Sequence, residues 1–375
     1  MQISINGYIT HKKGELYSDC RDSYAWDKSC HKFAISDGVS KSFFPGIWSQ
    51  TLVNNFVNVK EVIETDYILK CQEEWLNQVK EIVLKPDARW YTKNAFNRNS
   101  PGLATFVGLQ FFEKEKKWTA YALGDSFLFF LPKGWNDFEK DCVKLSSKST
   151  PIEFDNYPDY LSSIGDKHKG KRQRLKGKLE SGTFYLMTDA LAEWFLNSKE
   201  IALHNINIWR NQADFERFVD ITREGGKLSN DDSAILIINV IDDGERDIVY
   251  TPTNVSVLAE LIAKQGKDME QALIASIEIT NNEDQQSLVQ EESADENERS
   301  STEESILNED SAEEGQILIS NDPQSINANL SAAEKEPEKK GLFPRVKKGV
   351  KEIFGLSNEG TMTEMQPVKS ITEKF

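Results

Sequence analysis

Lys32-Phe33-Ala34-Ile35-Ser36-Asp37-Gly38-Val39-Ser40 is an apolar run that stops abruptly in Asp-Gly. Phe33, Ala34 and Ile35 predict a buried strand, and Asp37 then stands at the strand's mouth. Gly38 allows a sharp turn there and leaves its carbonyl free to face whatever Asp37 faces, an arrangement of oxygens that suits a hard cation. The same pattern of an apolar strand ending in aspartate recurs in YALGDSFLFFL (Gly124, Asp125, Ser126) and GTFYLMTDALAEW (Thr188, Asp189). It appears reversed in LSNDDSAILIINV, where Asp231 and Asp232 precede a strand. Aspartate is a common turn and cap residue, so each motif alone is weak.

The rest of the chain reads outward from these ends. Gln2 to Thr10 alternates Ile3, Ile5 and Tyr8 with polar neighbours and predicts a first strand; Ser23 to Trp26 predicts a second, with Asp22 where the two pieces meet. Ile47 to Val57 and Val62 to Val83 carry apolar residues at helical spacing. Lys93 to Gly102 reads as a polar loop, and Ala104 to Phe112 with Trp118 to Leu131 as a hairpin containing the Gly-Asp-Ser triplet. Leu191 to Ile208 and Phe215 to Glu224 read as helices, and Ala234 to Val240 as a closing strand. The basic run Lys167, Lys169, Lys171, Arg172, Arg174 and Lys176 has two readings, a solvated loop or a positive rim that attracts an anionic substrate.

The chain has 375 residues, 38% of them hydrophobic, and a net charge of -16. Aromatic residues vanish between Asn281 and Leu330, where acidic residues heavily outnumber the single Arg299. The acidic balance argues against nucleic-acid binding. Cys20, Cys30, Cys71 and Cys142 have no CxxC spacing, and the four histidines have neither HxH nor HExxH spacing, so neither a disulfide framework nor a zinc site is expected. No basic leader followed by an apolar run opens the sequence and no stretch reaches the roughly eighteen apolar residues of a spanning helix, so a cytoplasmic location is expected. Five regions follow: a folded domain over 1–245, a helical extension over 246–280, an acidic disordered linker over 281–338, a basic amphipathic helix over 339–357, and a flexible tail over 358–375. Phe343, Val346, Val350, Ile353 and Phe354 share one helical face, so the 343–354 stretch is expected to dock on a protein partner in preference to a membrane.

The order of the aspartates carries more than any single one. Asp22 in CRDSYAW, then SDG, a strand bearing Thr105, GDS, TDA and NDD before a closing strand resembles the metal-dependent type 2C serine/threonine protein phosphatase family, in a divergent bacterial form, over roughly Gly7 to Asp242. The resemblance implies an α+β fold, a four-layer α-β-β-α sandwich of two mostly antiparallel sheets flanked by helices. It implies hydrolysis of phosphoserine and phosphothreonine in a phosphorylated protein substrate, through a hydroxide bridging two Mn2+ or Mg2+ ions. Asp37 and Asp22 would be catalytic, and Asp22, Asp37, the Gly38 carbonyl, Asp125, Asp189 and Asp231 would be metal ligands, Asp125 being associated in bacterial members with a third, weaker ion. Thr105 reads as a packing residue and Asp232 as one that shapes its turn. The family's phosphate-gripping arginine would fall at Tyr17, and the glycine of the third motif is Ala190. A non-catalytic module of the same fold that binds a phosphoprotein is the alternative.

Overall fold

Strand alternation puts apolar side chains on both faces of most strands here, which demands layers on both sides of each sheet. A computed structural model of the protein describes residues 1–59, 64–148, 152–154, 157–245 and 247–276. In chain order the elements are β1 (Gln2–Thr10), β2 (Ser23–Asp27), β3 (Lys32–Ser36), α1 (Pro45–Asn58), α2 (Glu64–Val83), α3 (Trp90–Asn97), β4 (Leu103–Ala104), β5 (Phe106–Phe112), β6 (Lys117–Leu123), β7 (Phe127–Pro132), α4 (Phe138–Asp141), β8 (Val143–Leu145), β9 (Leu161–Ser162), β10 (Gln173–Lys178), β11 (Gly182–Met187), α5 (Asp189–Ser198), α6 (Glu200–Ile208), α7 (Gln212–Glu224), β12 (Ser233–Ile241) and β13 (Val249–Val255). All of them lie in the first of two units, whose described residues end at Gln265. The described residues of the second unit, 266–276, are helical.

A six-stranded sheet has the order β13-β1-β12-β11-β7-β8 and a five-stranded sheet the order β10-β6-β5-β3-β2; β4 and β9 pair separately. Every pairing is antiparallel except that of β1 with β13. Alternate residues sort into three cores. Ile3, Phe33, Leu109, Trp118, Phe184 and Leu236 fill the space between the sheets. Their sequence neighbours on β7, β11 and β12, such as Phe129, Tyr185 and Ile235, turn outward onto Leu191 and Phe195 of α5, Leu203 of α6 and Phe215 of α7. Ala34, Phe106, Tyr121 and Leu123 turn the other way, onto Trp48, Leu52 and Phe56 of α1 and Ile68, Trp75 and Val79 of α2. The architecture is therefore an α+β sandwich of four layers, helix, sheet, sheet, helix. Each fully buried Leu or Phe contributes roughly 1.5–3 kcal/mol to holding it.

Several local expectations change. The Trp118 to Leu131 stretch is two strands in different sheets: β6 ends at Leu123, Gly124 takes φ +102°, and β7 continues in the facing sheet. Apolar pattern alone could not show the crossing, because both halves are buried. The Lys93 to Gly102 loop begins with helix α3, whose side chains bury little and so left no apolar stripe. Leu191 to Ile208 is two helices, broken at Lys199 with φ +50°. Val249–Val255, read within a helical extension, is an edge strand beside β1, and a helix follows over 258–276. Leu258 and Leu261 of that helix pack against the intersheet core. The expected acidic linker, amphipathic helix and tail lie outside the described residues.

Candidate functional site

Antiparallel register fixes which strand ends are neighbours. Ser23 pairs with Ser36, Ile35 with Val107 and Phe106 with Leu123, so Asp22, Asp37 and the start of the Gly124–Ser126 turn emerge from one end of the five-stranded sheet. Phe127 pairs with Met187 and Met187 with Ile235, so the end of that turn, Asp189 and Asp231 emerge together from the six-stranded sheet. The β6 to β7 crossover at Asp125 joins the two rows.

The turns that hold the carboxylates are pinned by backbone. Gly38 donates its N–H to Arg21 O at 3.2 Å, and a Cβ there would lie 2.8 Å from the backbone of Pro45, so only glycine fits beside the start of α1. Gly124 would meet the Thr105 side chain at 2.5 Å. Thr105 ties two motifs together: its N–H donates to Asp37 O at 2.8 Å, its hydroxyl accepts from Asp37 N–H at 3.1 Å and sits 2.6 Å from the Ser126 hydroxyl. It is thus a positioning residue, where the sequence reading made it a packing one. Thr188 accepts from Ala234 N–H at 2.9 Å, locking the β11 end to β12.

Asp232 is 3% exposed. It accepts from Lys12 N–H at 2.9 Å and Arg21 N–H at 2.8 Å, and Arg21 Nη1 lies 3.5 Å from it. Its carboxylate is consumed in tying the start of β12 to the segment that delivers Asp22. Arg223 of α7 reaches the same turn, donating to His11 O at 3.1 Å, to the Ser233 hydroxyl at 3.3 Å and to Asp231 O. Nothing in the sequence marks Arg223, a lone cation near the end of a helix whose partners are mostly backbone carbonyls. Tyr17, at the place of the expected phosphate-gripping arginine, is buried with its hydroxyl donating to Glu216; it supports the fold.

The carboxylates feel one another. Burial, then the charges of Asp189, Asp22, Asp125 and Asp231, push Asp37 well above the usual carboxylate range. Burial, then Asp232 and Asp189, do the same to Asp22, offset in part by the Thr188 hydroxyl. Asp189 is pushed up to about 7, by burial first and by Asp125 and Asp231 next, although it is the first residue of α5, where the helix dipole favours a negative charge. So much negative charge at one end of a sandwich is costly unless protons or cations offset it.

Asp22 is 1% exposed and its Oδ2 has no hydrogen-bond partner. A buried, unpartnered carboxylate oxygen among oxygen-only donors is the donor chemistry of a hard divalent cation. Among the described residues, however, no three His, Cys, Asp or Glu side chains form a group that could hold a metal ion. The two observations are compatible for Mg2+ or Mn2+, which keep several waters and take one or two carboxylates rather than a full protein cage.

No family model matches the chain, and no curated protein does. Solved structures do resemble it. One is the catalytic domain of the serine/threonine protein phosphatase PstP in complex with two manganese ions, at 13% identity and a TM-score of 0.41 over 64% of this chain and 99% of that one. PppA, a regulatory component of T6SS in Pseudomonas aeruginosa, matches at 13% identity and 0.40, over 64% and 98%. A bacterial stressosome structure matches at 15% and 0.37, over 64% and 100%. Among the described residues no helix is long and apolar enough to cross a membrane.

Proposed function

We propose that this protein is a metal-dependent phosphatase that hydrolyses phosphoserine and phosphothreonine in protein substrates, in the cytoplasm. The observation that carries the reading is the convergence of Asp22, Asp37, Asp125, Asp189 and Asp231, from both sheets, on one end of the sandwich, each of Asp22, Asp37 and Asp189 raised first by burial and then by neighbouring carboxylates. Asp37 and Asp22, with the Gly38 carbonyl, would hold one side of a two-ion centre, and Asp189 and Asp231 the other. When bound, a pair of Mn2+ or Mg2+ ions supplies neutralisation of the phosphoryl oxygens and acidification of a water. The chain's part is to keep the carboxylates together: Thr105 holds the Asp37 turn, Asp232 and Arg223 hold the turns of Asp22 and Asp231, and the Gly124 crossover keeps the two sheets' ends in one site.

A second reading, a non-catalytic module of this fold that binds a phosphoprotein, is favoured by the lack of a three-ligand group among the described residues. Hydrolysis of a small aryl phosphate separates the two. It should require Mn2+ or Mg2+, vanish with chelator and return on restoring the metal, and Asp37→Asn should lower the rate on the order of a hundredfold or more. Wild-type turnover in Asp37→Asn, or turnover that survives complete metal removal, would reject the two-ion mechanism; no turnover with any divalent ion would favour the binding module.

A further inference from the structure

Lys148 reaches the aspartate cluster because backbone pairing carries it there. Leu145 of β8 lies opposite Leu128 of β7, so the residues after β8 pass over those before β7. Ser147 fixes the overlap: its N–H donates to Gly124 O at 3.2 Å, and its hydroxyl accepts from Gly124 N–H at 2.8 Å and donates to the Asp159 carboxylate at 3.0 Å. The next residue then places its ammonium 3.8 Å from Asp125 Oδ2, with the two side chains only 15% and 2% exposed. Asp125 is one of the charges that press on Asp37 and Asp189, so a cation at Asp125 acts on those two carboxylates as well.

We propose that Lys148 is a built-in counter-cation for the Asp125 end of the cluster, standing where a third divalent ion would be held, so that this chain takes two ions and no third. The proposal rests on the two-ion reading of the site. An ammonium and a divalent ion repel each other strongly when both sit within about 4 Å of one carboxylate away from bulk water. A lysine is a compact point charge on a tethered stem, so it supplies that charge at a fixed place whatever the metal concentration.

The test counts Mn2+ ions bound per chain, by native mass spectrometry and by titration of free Mn2+ followed by its paramagnetic resonance signal. The full chain is used as wild type, Lys148→Met, Lys148→Arg, and Lys148→Met combined with Asp125→Asn, with circular dichroism verifying the fold of each. Two ions are expected in the wild type, three in Lys148→Met, two in Lys148→Arg and two in the double variant. Lys148→Gln replaces the methionine variant if that one does not fold. A wild type that binds three ions, or a methionine variant with the wild-type count, overturns the proposal. A wild type that binds no Mn2+ overturns the two-ion reading itself, and hydrolysis of the aryl phosphate with Mn2+ present reports on that reading separately.

Discussion

The Thr105 hydroxyl accepts from Asp37 N–H and shares a second hydrogen bond with the Ser126 hydroxyl. Thr105 and Ser126 are both fully buried, so removing the threonine hydroxyl strands polar groups that water cannot reach. Thr105→Val, which keeps the shape, should therefore cost about 1–3 kcal/mol in a denaturant melt, and a valine variant as stable as wild type would remove Thr105 from its positioning role. The neighbouring Gly124 has no such latitude, since its φ of +102° and the Thr105 side chain both exclude a Cβ. Residue by residue, the site is held less by contacts among the aspartates than by hydroxyls and amides one step away from them.

Helices α5 and α6 are one apolar surface interrupted by one residue. Leu191, Phe195, Leu203 and Ile206 all pack under β7, β11 and β12, and the chain must bend at Lys199 to keep both helices on that surface. Lys199 takes φ +50° and ψ -119°, a region that side chains other than glycine's enter at a cost. Its ion pair with Glu139 spans 2.8 Å between half-exposed groups, and such pairs contribute little. Lys199→Gly should accordingly raise stability by about 1 kcal/mol; a lower thermal midpoint in the variant would mean that the bend is not strained. The amphipathic pattern of this stretch is continuous across the break, which is why the sequence reads as one helix.

At the scale of the whole molecule the aspartate end is the place where burial and charge oppose each other. Asp189 is raised to about 7 and Asp22 and Asp37 are raised as well, all first by burial and then by neighbouring carboxylates. In the unfolded chain aspartates lose their protons near 3.9. Between about pH 4 and pH 7 the folded state thus holds protons that the unfolded chain has released, and stability falls as pH rises through that window. The contribution is fully present only below the unfolded value. With chelator present, the thermal midpoint should be higher at pH 5.5 than at pH 8, by a free-energy difference on the order of a few kcal/mol. Adding Mn2+ should narrow the gap by binding the folded state alone. Calorimetry at the two pH values checks this, and an equal or higher midpoint at pH 8 without metal would show that the carboxylates do not burden the fold.

Strand ends, helix stripes and the residue type of the donors were legible in the sequence because they depend on period and local chemistry. KFAISDG reads as strand then turn whatever surrounds it, and Ile47 to Val57 can hardly be anything but a helix with one apolar face. The order of the aspartates carried the family resemblance, and oxygen donors without histidine or cysteine would suit hard cations. What the sequence left open is what depends on partners far along the chain. That β6 and β7 belong to different sheets follows from the pairing of Phe127 with Met187 and of Phe106 with Leu123, and an apolar run buried on both faces carries no mark of which sheet it joins. That Val249–Val255 is a strand follows from the free edge of β1. Thr105, Arg223 and Lys148 acquired their places only in the folded chain, because a hydrogen bond or ion pair spanning tens of residues leaves no local pattern; register and burial brought them to the aspartates.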